Sequence, residues 1–302
     1  MPSAEAEAVL QLNRDLREAW LADPTYTFDD MRRIFEEWLA QFAIPEGTLI
    51  TPVECNGVPC LWVDAPGSAQ DRVVVHFHSG GYLMGSAHAY RSFGGYLAAV
   101  TGCRALLVDY RLAPENPFPS AIEDALAAYK WLLAQQVDPA KILISGDSAG
   151  GGLALVTLQQ LRDEGLPLPA GGVSISPLAD FTHTVESRVI NADRDPLVTM
   201  DLIAALGVTY CGENDPKDPR ISPIFGNWIG LPPLLIFAGE IEMLRDDGKV
   251  SAQAAARAGV DAMYVEGEGM AHIWTLYADR LPEAREALDQ IGAFARKHLA
   301  GT

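Results

Sequence analysis

Gly146-Asp147-Ser148-Ala149-Gly150 is the stretch of this sequence best suited to covalent chemistry. The apolar run 142–145 before it reads as a strand, and Leu153-Ala154-Leu155-Val156 after it opens a helix. A serine on so sharp a strand-to-helix turn takes a strained backbone conformation and tolerates only small neighbours. The helix N-terminus behind it offers unpaired N–H groups and the positive end of a dipole. In that setting a serine hydroxyl attacks a carbonyl carbon. With 27 glycines in 302 residues, a GxSxG pentapeptide arises by chance in about one such sequence in seven. The weight therefore rests on its placement and on its partners. A phosphate cradle is the competing use of a glycine-rich turn, but neither GxxxxGK[ST] nor GxGxxG accompanies it.

Attack on a carbonyl builds a tetrahedral oxyanion, which backbone N–H donors must stabilise. The run 73–77 reads as a strand and leads into His78-Ser79-Gly80-Gly81-Tyr82. Glycines let the backbone come close to a substrate. Gly80, Gly81 and Ala149, the residue after the serine, are the expected donors. Ser79 stands where an HGGG-type loop has its first glycine, a change expected to alter the loop's hydrogen bonds. His78 is expected to orient this loop, and His76, further back on the strand, to be structural.

A serine of this kind needs a base, and in this fold logic the acid and then the histidine follow it in the chain. Of six histidines, those at 76, 78 and 88 precede Ser148, His183 lies in an irregular insertion and His298 lies near the chain end. His272 follows a short strand and a glycine-bearing loop, 266–271, and is the expected base. The acid should sit just past the apolar run 234–238, where Glu240, Glu242, Asp246 and Asp247 compete. Asp246 and Asp247 suit the start of a helix. Glu242 lies in the turn between, where a side chain can reach a histidine.

The elements that must hold these groups alternate. Short apolar runs at 61–63, 73–77, 105–108, 142–145, 173–176, 234–238 and 263–265 read as strands. Helical spacing recurs at about 88–100, 120–135, 149–163, 245–258 and 283–299. That alternation predicts an α/β fold with a mostly parallel sheet covered on both faces. Two helical stretches, 3–21 and 28–43, precede it. Residues 178–230 break the rhythm with one helical stretch, about 199–211, and no strand, as a lid would. The expected organisation is N-terminal cap helices at 1–45, a catalytic unit of 46–177 and 231–302, and a cap insertion at 178–230.

Apolar residues make up 49% of the chain, enough to build a large core without disulfide staples. The net charge, 22 − 40 = −18, argues against nucleic acid and anionic membranes. Cys55, Cys60, Cys103 and Cys211 show no metal-ligand spacing. The N-terminus lacks the features of a signal peptide, and no apolar run is long enough to span a bilayer. The expectation is a cytoplasmic protein with no metal or cofactor, acting on a small neutral molecule, either alone or as a homodimer.

Taken together, HSGG at 78–81, Tyr110-Arg111-Leu112-Ala113-Pro114-Glu115, GDSAGG at 146–151, GEIEMLRDDG at 239–248 and Gly269-Met270-Ala271-His272 resemble the hormone-sensitive-lipase-like esterases, bacterial family IV. The resemblance covers nearly all of the chain after residue 45. It implies an α/β-hydrolase fold, an eight-stranded, mostly parallel sheet with a helical cap, and hydrolysis of short- to medium-chain esters or lactones. The family's acid is the first aspartate of a DPLRD-like run, which falls on Glu242 here, with Asp246 as the second choice. The stretches YRLAPENPFP and NADRDPLVT are similar to monoterpene ε-lactone hydrolases. The YRLAPE run is expected to be scaffold. Tyr82, Phe28, Phe35, Trp38 and Met200 are expected either to line an apolar acyl site or to fill the core of the cap. Two other readings share the fold: an amidase or peptidase, and a non-catalytic receptor of the gibberellin-receptor kind. The receptor lacks the histidine that this chain has at 272.

Overall fold

Two strands open the sheet as a hairpin, β1 (Leu49–Cys55) and β2 (Val58–Asp64). Six more follow: β3 (Ala69–Phe77), β4 (Cys103–Val108), β5 (Ile142–Asp147), β6 (Gly171–Ile175), β7 (Leu234–Gly239) and β8 (Ala262–Gly267). In this computed structural model, which describes residues 2–299, they join into one sheet in the order β1-β2-β4-β3-β5-β6-β7-β8. From β4 to β8 every pairing is parallel, and only the β1–β2 and β2–β4 pairings are antiparallel. Every residue of β5, β6 and β7 is buried, so both faces of the central sheet are covered.

The apolar runs forecast seven of the eight strands, but not β1. Most of β1 is half-buried or exposed, so it has no continuous apolar run. The turn was the better signal. Cys55 pairs with Val58, leaving Asn56-Gly57 with φ of 53° and 89°, the two-residue hairpin that Asn-Gly favours.

The helices are α1 (Ala4–Leu21), α2 (Phe28–Leu39), α3 (Arg91–Thr101), α4 (Ser120–Ala134), α5 (Ala149–Asp163), α6 (Ser187–Ile190), α7 (Met200–Cys211), α8 (Arg245–Arg257) and α9 (Pro282–His298). Helix α3 packs on α9, and α4 on α5. Between β6 and β7 lie α6 and α7. Thr27 and Asp30 form a reciprocal capping box that starts α2. Trp20 of α1 tilts over Phe35 of α2 at 5.8 Å, and Arg17 donates to the Asp195 carbonyl in the insertion at 3.2 Å. The N-terminal helices and the insertion thus meet.

Sheet register places the chemistry. Phe77 lies opposite Gly146, so the loop after β3 and the turn after β5 emerge side by side. Gly239 lies opposite Gly267, so the acid-bearing turn and the loop to His272 do the same. All four cysteines are buried and unlinked. Among the described residues, no helix is long and apolar enough to cross a membrane.

Candidate active site

Ser148 sits at φ 54°, ψ −118°, the strained conformation that its turn foretold. Its N–H donates to the Ile175 carbonyl (2.8 Å), and its carbonyl accepts from Gly152 (3.0 Å) and Leu178 (2.9 Å). Backbone on three sides explains the small neighbours. A Cβ on Gly146 would lie 2.0 Å from the Gly150 carbonyl oxygen, and one on Gly150 would lie 2.0 Å from that of Phe77.

His272 Nε2 lies 2.9 Å from Ser148 Oγ, and its Nδ1 lies 2.8 Å from Glu242 Oε2. An ionised carboxylate only accepts, so Nδ1 carries the proton and Nε2 is free to accept from the serine. Glu242 is fully buried, and its other oxygen accepts the Gly239 N–H at 2.9 Å. Burial raises the Glu242 carboxyl above its ordinary range, against the pull of His272. Burial lowers His272, but Glu242 foremost, with Asp195 and Asp147, outweighs it and leaves the imidazole raised.

The other acids of this turn are occupied elsewhere. Glu240 accepts from Gly269 N–H (2.8 Å) and Arg194 (2.9 Å). Asp246 accepts from Ser187 N–H (2.9 Å) and pairs with Arg245. Asp247 accepts from the N–H groups of Ala179 and Asp180 and from Arg188, each at 2.9 Å. Of the four candidates, Glu242 meets the imidazole.

The loop after β3 turns sharply toward the serine. Gly80, at φ 118°, offers its carbonyl to the N–H groups of Leu83 and Met84, and a Cβ there would strike the Met84 carbonyl oxygen at 2.2 Å. Gly80 and Gly81 line the same cleft as Ser148 and His272. Ala149 is the first residue of α5, so its N–H has no acceptor within the helix. His78 donates from Nδ1 to the Ser79 carbonyl (2.8 Å) and stacks on Tyr110 at 4.2 Å, while the Tyr110 hydroxyl donates to the His78 carbonyl (2.8 Å). Burial lowers the His78 pKa against the pull of the Ser79 carbonyl, which suits a neutral ring orienting a loop.

Tyr90 accounts for Ser79. Its hydroxyl accepts the Ser79 N–H (3.1 Å) and meets both Ser79 Oγ and Asp147 Oδ2, the latter at 2.6 Å. Asp147 also faces His76 Nε2 at 3.2 Å, and His76 Nδ1 meets Ser145 Oγ at 3.1 Å. The serine that departs from the usual glycine thus ties the loop to the turn of the nucleophile. Arg111 of the YRLAPE run pairs with Asp124 and Glu123, and Arg32 of α2 reaches the Ala113 carbonyl (2.9 Å) and Glu115, so that run is scaffold.

Ser148 opens into a cleft that His272, Gly80 and Gly81 also line. Its walls are apolar: Trp20 and Phe35 from the N-terminal helices, Leu202, Ile203 and Leu206 from α7, and Met84. No Lys, Arg, Asp or Glu lines it among the described residues. Of the five aromatic and methionine side chains weighed for this wall, Phe35 alone lines it. Tyr82 stacks on Tyr210 at 3.9 Å, Trp38 packs on Phe42, and Phe28 and Met200 are exposed at the surface. Trp20 and Leu206 escaped the sequence reading because each is an ordinary apolar position on its helix, Leu206 on a helix that is apolar nearly all round. Among the described residues, no cluster of His, Cys, Asp and Glu could hold a metal ion.

Strand order, the turn at Ser148 and the hydrogen-bonded run Ser148–His272–Glu242 are those of the α/β-hydrolase class. A family model described as alpha/beta hydrolase fold matches residues 74–276. An acetyl-hydrolase of Streptomyces hygroscopicus is 37% identical over 299 residues, which is 98% of this chain and 97% of that protein. An esterase of Acinetobacter venetianus is 34% identical, covering 88% of each chain. The crystal structure of an esterase from the bacterial hormone-sensitive lipase family superposes with a TM-score of 0.95 at 41% identity, covering 99% of this chain and 100% of that one. The crystal structure of EstE5 soaked with p-nitrophenyl butyrate gives a TM-score of 0.92 at 38% identity, with the same coverage. The chain belongs to the bacterial hormone-sensitive lipase family of the α/β-hydrolase fold.

Proposed function

We propose that this chain hydrolyses carboxylic esters of short- to medium-chain acids, lactones among them, by acyl transfer through Ser148. The observation that carries this is the continuous run from Ser148 Oγ through His272 to Glu242 at the floor of an apolar, uncharged cleft. As Ser148 attacks the ester carbonyl, His272 Nε2 takes its proton, and Glu242 holds the tautomer and stabilises the imidazolium. Gly80, Gly81 and Ala149 donate N–H groups to the oxyanion, each worth about 3 kcal/mol of the barrier by analogy with other such sites. His272 returns the proton to the leaving alcohol. Water, deprotonated by His272, then attacks the acyl-enzyme and frees the acid and Ser148. Each proton in this scheme moves between the substrate, water and this chain's own side chains.

Residues 1–45 and 178–230 are taken as the cap over the catalytic unit of 46–177 and 231–302. Four buried thiols suit a reducing cytoplasm. The edge strand β8 leaves Met263 half exposed, and an open edge invites pairing with another strand. We therefore read a homodimer joined along β8. Light scattering on the eluted protein should give twice the chain mass, and a single-chain mass would rule the pairing out.

The test of the activity is a panel of p-nitrophenyl acetate, butyrate and octanoate, a lactone, and the butyryl p-nitroanilide. The short and medium esters should turn over far faster than the anilide. Equal turnover of ester and anilide would replace the esterase reading with an amidase.

A further inference from the structure

The turn that carries Glu242 is held by side chains from outside the catalytic sheet. Met243 N–H donates to Asp195 Oδ2 at 2.8 Å. Asn191 Nδ2 donates to two carbonyls of the turn, those of Glu240 (2.9 Å) and Glu242 (2.8 Å). Ser187 Oγ (2.7 Å) and Arg188 Nη1 (2.6 Å) both donate to the Met243 carbonyl. All four side chains come from residues 187–195, in the insertion between β6 and β7. Hydrogen bonds from one short segment thus grip the acid's turn on several sides.

Asp195 is the acidic member of this grip. It is 2% exposed, and its Oδ1 accepts the N–H groups of Leu197 and Val198, each at 2.9 Å. Burial raises the Asp195 carboxyl above its ordinary range, against the pull of His272 and of its three N–H donors, which favour the carboxylate. Arg17 anchors its carbonyl from α1, and Arg194 beside it bonds Asn191 Oδ1 and Glu240. Glu242 from the turn after β7, Asp195 from the insertion and Asp147 from the end of β5 each favour the charged form of His272.

We infer that Asp195, with Asn191, is a positioning residue for the triad acid: through these hydrogen bonds the insertion fixes the Glu242 turn on its histidine. This rests on the Ser148–His272–Glu242 reading above. A cap that only covered the cleft would affect substrate binding, whereas a segment that fixes the acid affects the chemical step. Misplacing a catalytic group by an ångström costs up to about 100-fold in rate.

The test is Asp195→Asn in the full chain, with p-nitrophenyl butyrate as substrate and Glu242→Gln assayed beside it. An asparagine can accept from Leu197 and Val198 only by turning its own N–H₂ on the Met243 N–H, so the bridge to the turn breaks. The kcat should fall by about 10- to 100-fold with KM nearly unchanged. Asp195 also favours the charged imidazole, so removing its charge lowers the His272 pKa. The acid limb of kcat/KM should therefore move to lower pH. Wild-type kcat, or a lower kcat with the acid limb in place, overturns the proposal. Should Asp195→Asn aggregate, Asn191→Ala decides: a reduced kcat at unchanged KM supports the proposal, and wild-type kcat overturns it. Wild-type kcat in Glu242→Gln would instead sink the triad reading itself.

Discussion

Ser148→Ala is expected to lower kcat on p-nitrophenyl butyrate by roughly 10⁴- to 10⁶-fold, the range for losing the nucleophile of a serine hydrolase. Its hydroxyl is the group from which His272 Nε2 can take a proton, at 2.9 Å. No neighbouring hydroxyl can take its place, because Ser79, the other serine on the cleft wall, has its oxygen held by Tyr90. The residue should still fold. The backbone hydrogen bonds of Ser148 to Ile175, Gly152 and Leu178 do not involve the side chain. Alanine keeps the same Cβ in the same strained φ, and one neutral hydrogen bond is worth about 1 kcal/mol. Thermal melting should therefore stay within a few degrees of wild type. A folded mutant that kept wild-type turnover would overturn the assignment, and an unfolded one would contradict the packing described above. The residual rate has meaning too, because it measures what the N–H groups of Gly80, Gly81 and Ala149 contribute without a nucleophile.

What could be read from the sequence follows from how each element is buried. Strands β3, β5 and β7 are central and carry continuous apolar runs that announce them, whereas the equally buried β6 alternates Val173-Ser174-Ile175-Ser176. Strand β1 lies at the edge and shows no such run, yet Asn56-Gly57 marks its hairpin for a reader who weighs turns above hydropathy. Ser148 and His272 were legible because chain order and local glycines constrain them. The acid was only partly so: four carboxylates share eight residues, and choosing among them needs the partner of each. Asp195 and Tyr90 lay beyond reach. They act on groups 48 and 57 residues away in the chain, and nothing in their own neighbourhoods distinguishes them from an ordinary turn aspartate or a core tyrosine. The pattern found the groups that the fold brings together as Ser148–His272–Glu242, and tertiary contacts alone reveal the groups that hold them.

Glu242 is where this chain leaves its family's pattern, and its replacement should be the second largest loss. Glu242→Ala removes the acceptor of the His272 Nδ1 proton and leaves the Gly239 N–H buried without its partner. Losing the orienting acid of such a triad costs about 10⁴-fold in kcat. Asp246→Ala should cost far less, because Asp246 bonds Ser187 and Arg245 and does not meet the histidine. If Asp246→Ala loses more kcat than Glu242→Ala, the acid has been misassigned. The extra methylene offers a sharper comparison. In Glu242 one carboxylate oxygen accepts from Gly239 while the other meets His272, so both partners are met at the reach of a glutamate side chain. Glu242→Asp withdraws the carboxylate by one bond, about 1.5 Å. Restoring the family's usual residue should therefore reduce kcat here, because this turn, gripped by Asp195 and Asn191, is set for glutamate. An Asp variant with full activity would mean that the turn moves to suit its acid, and that the grip from the insertion is looser than its hydrogen bonds imply.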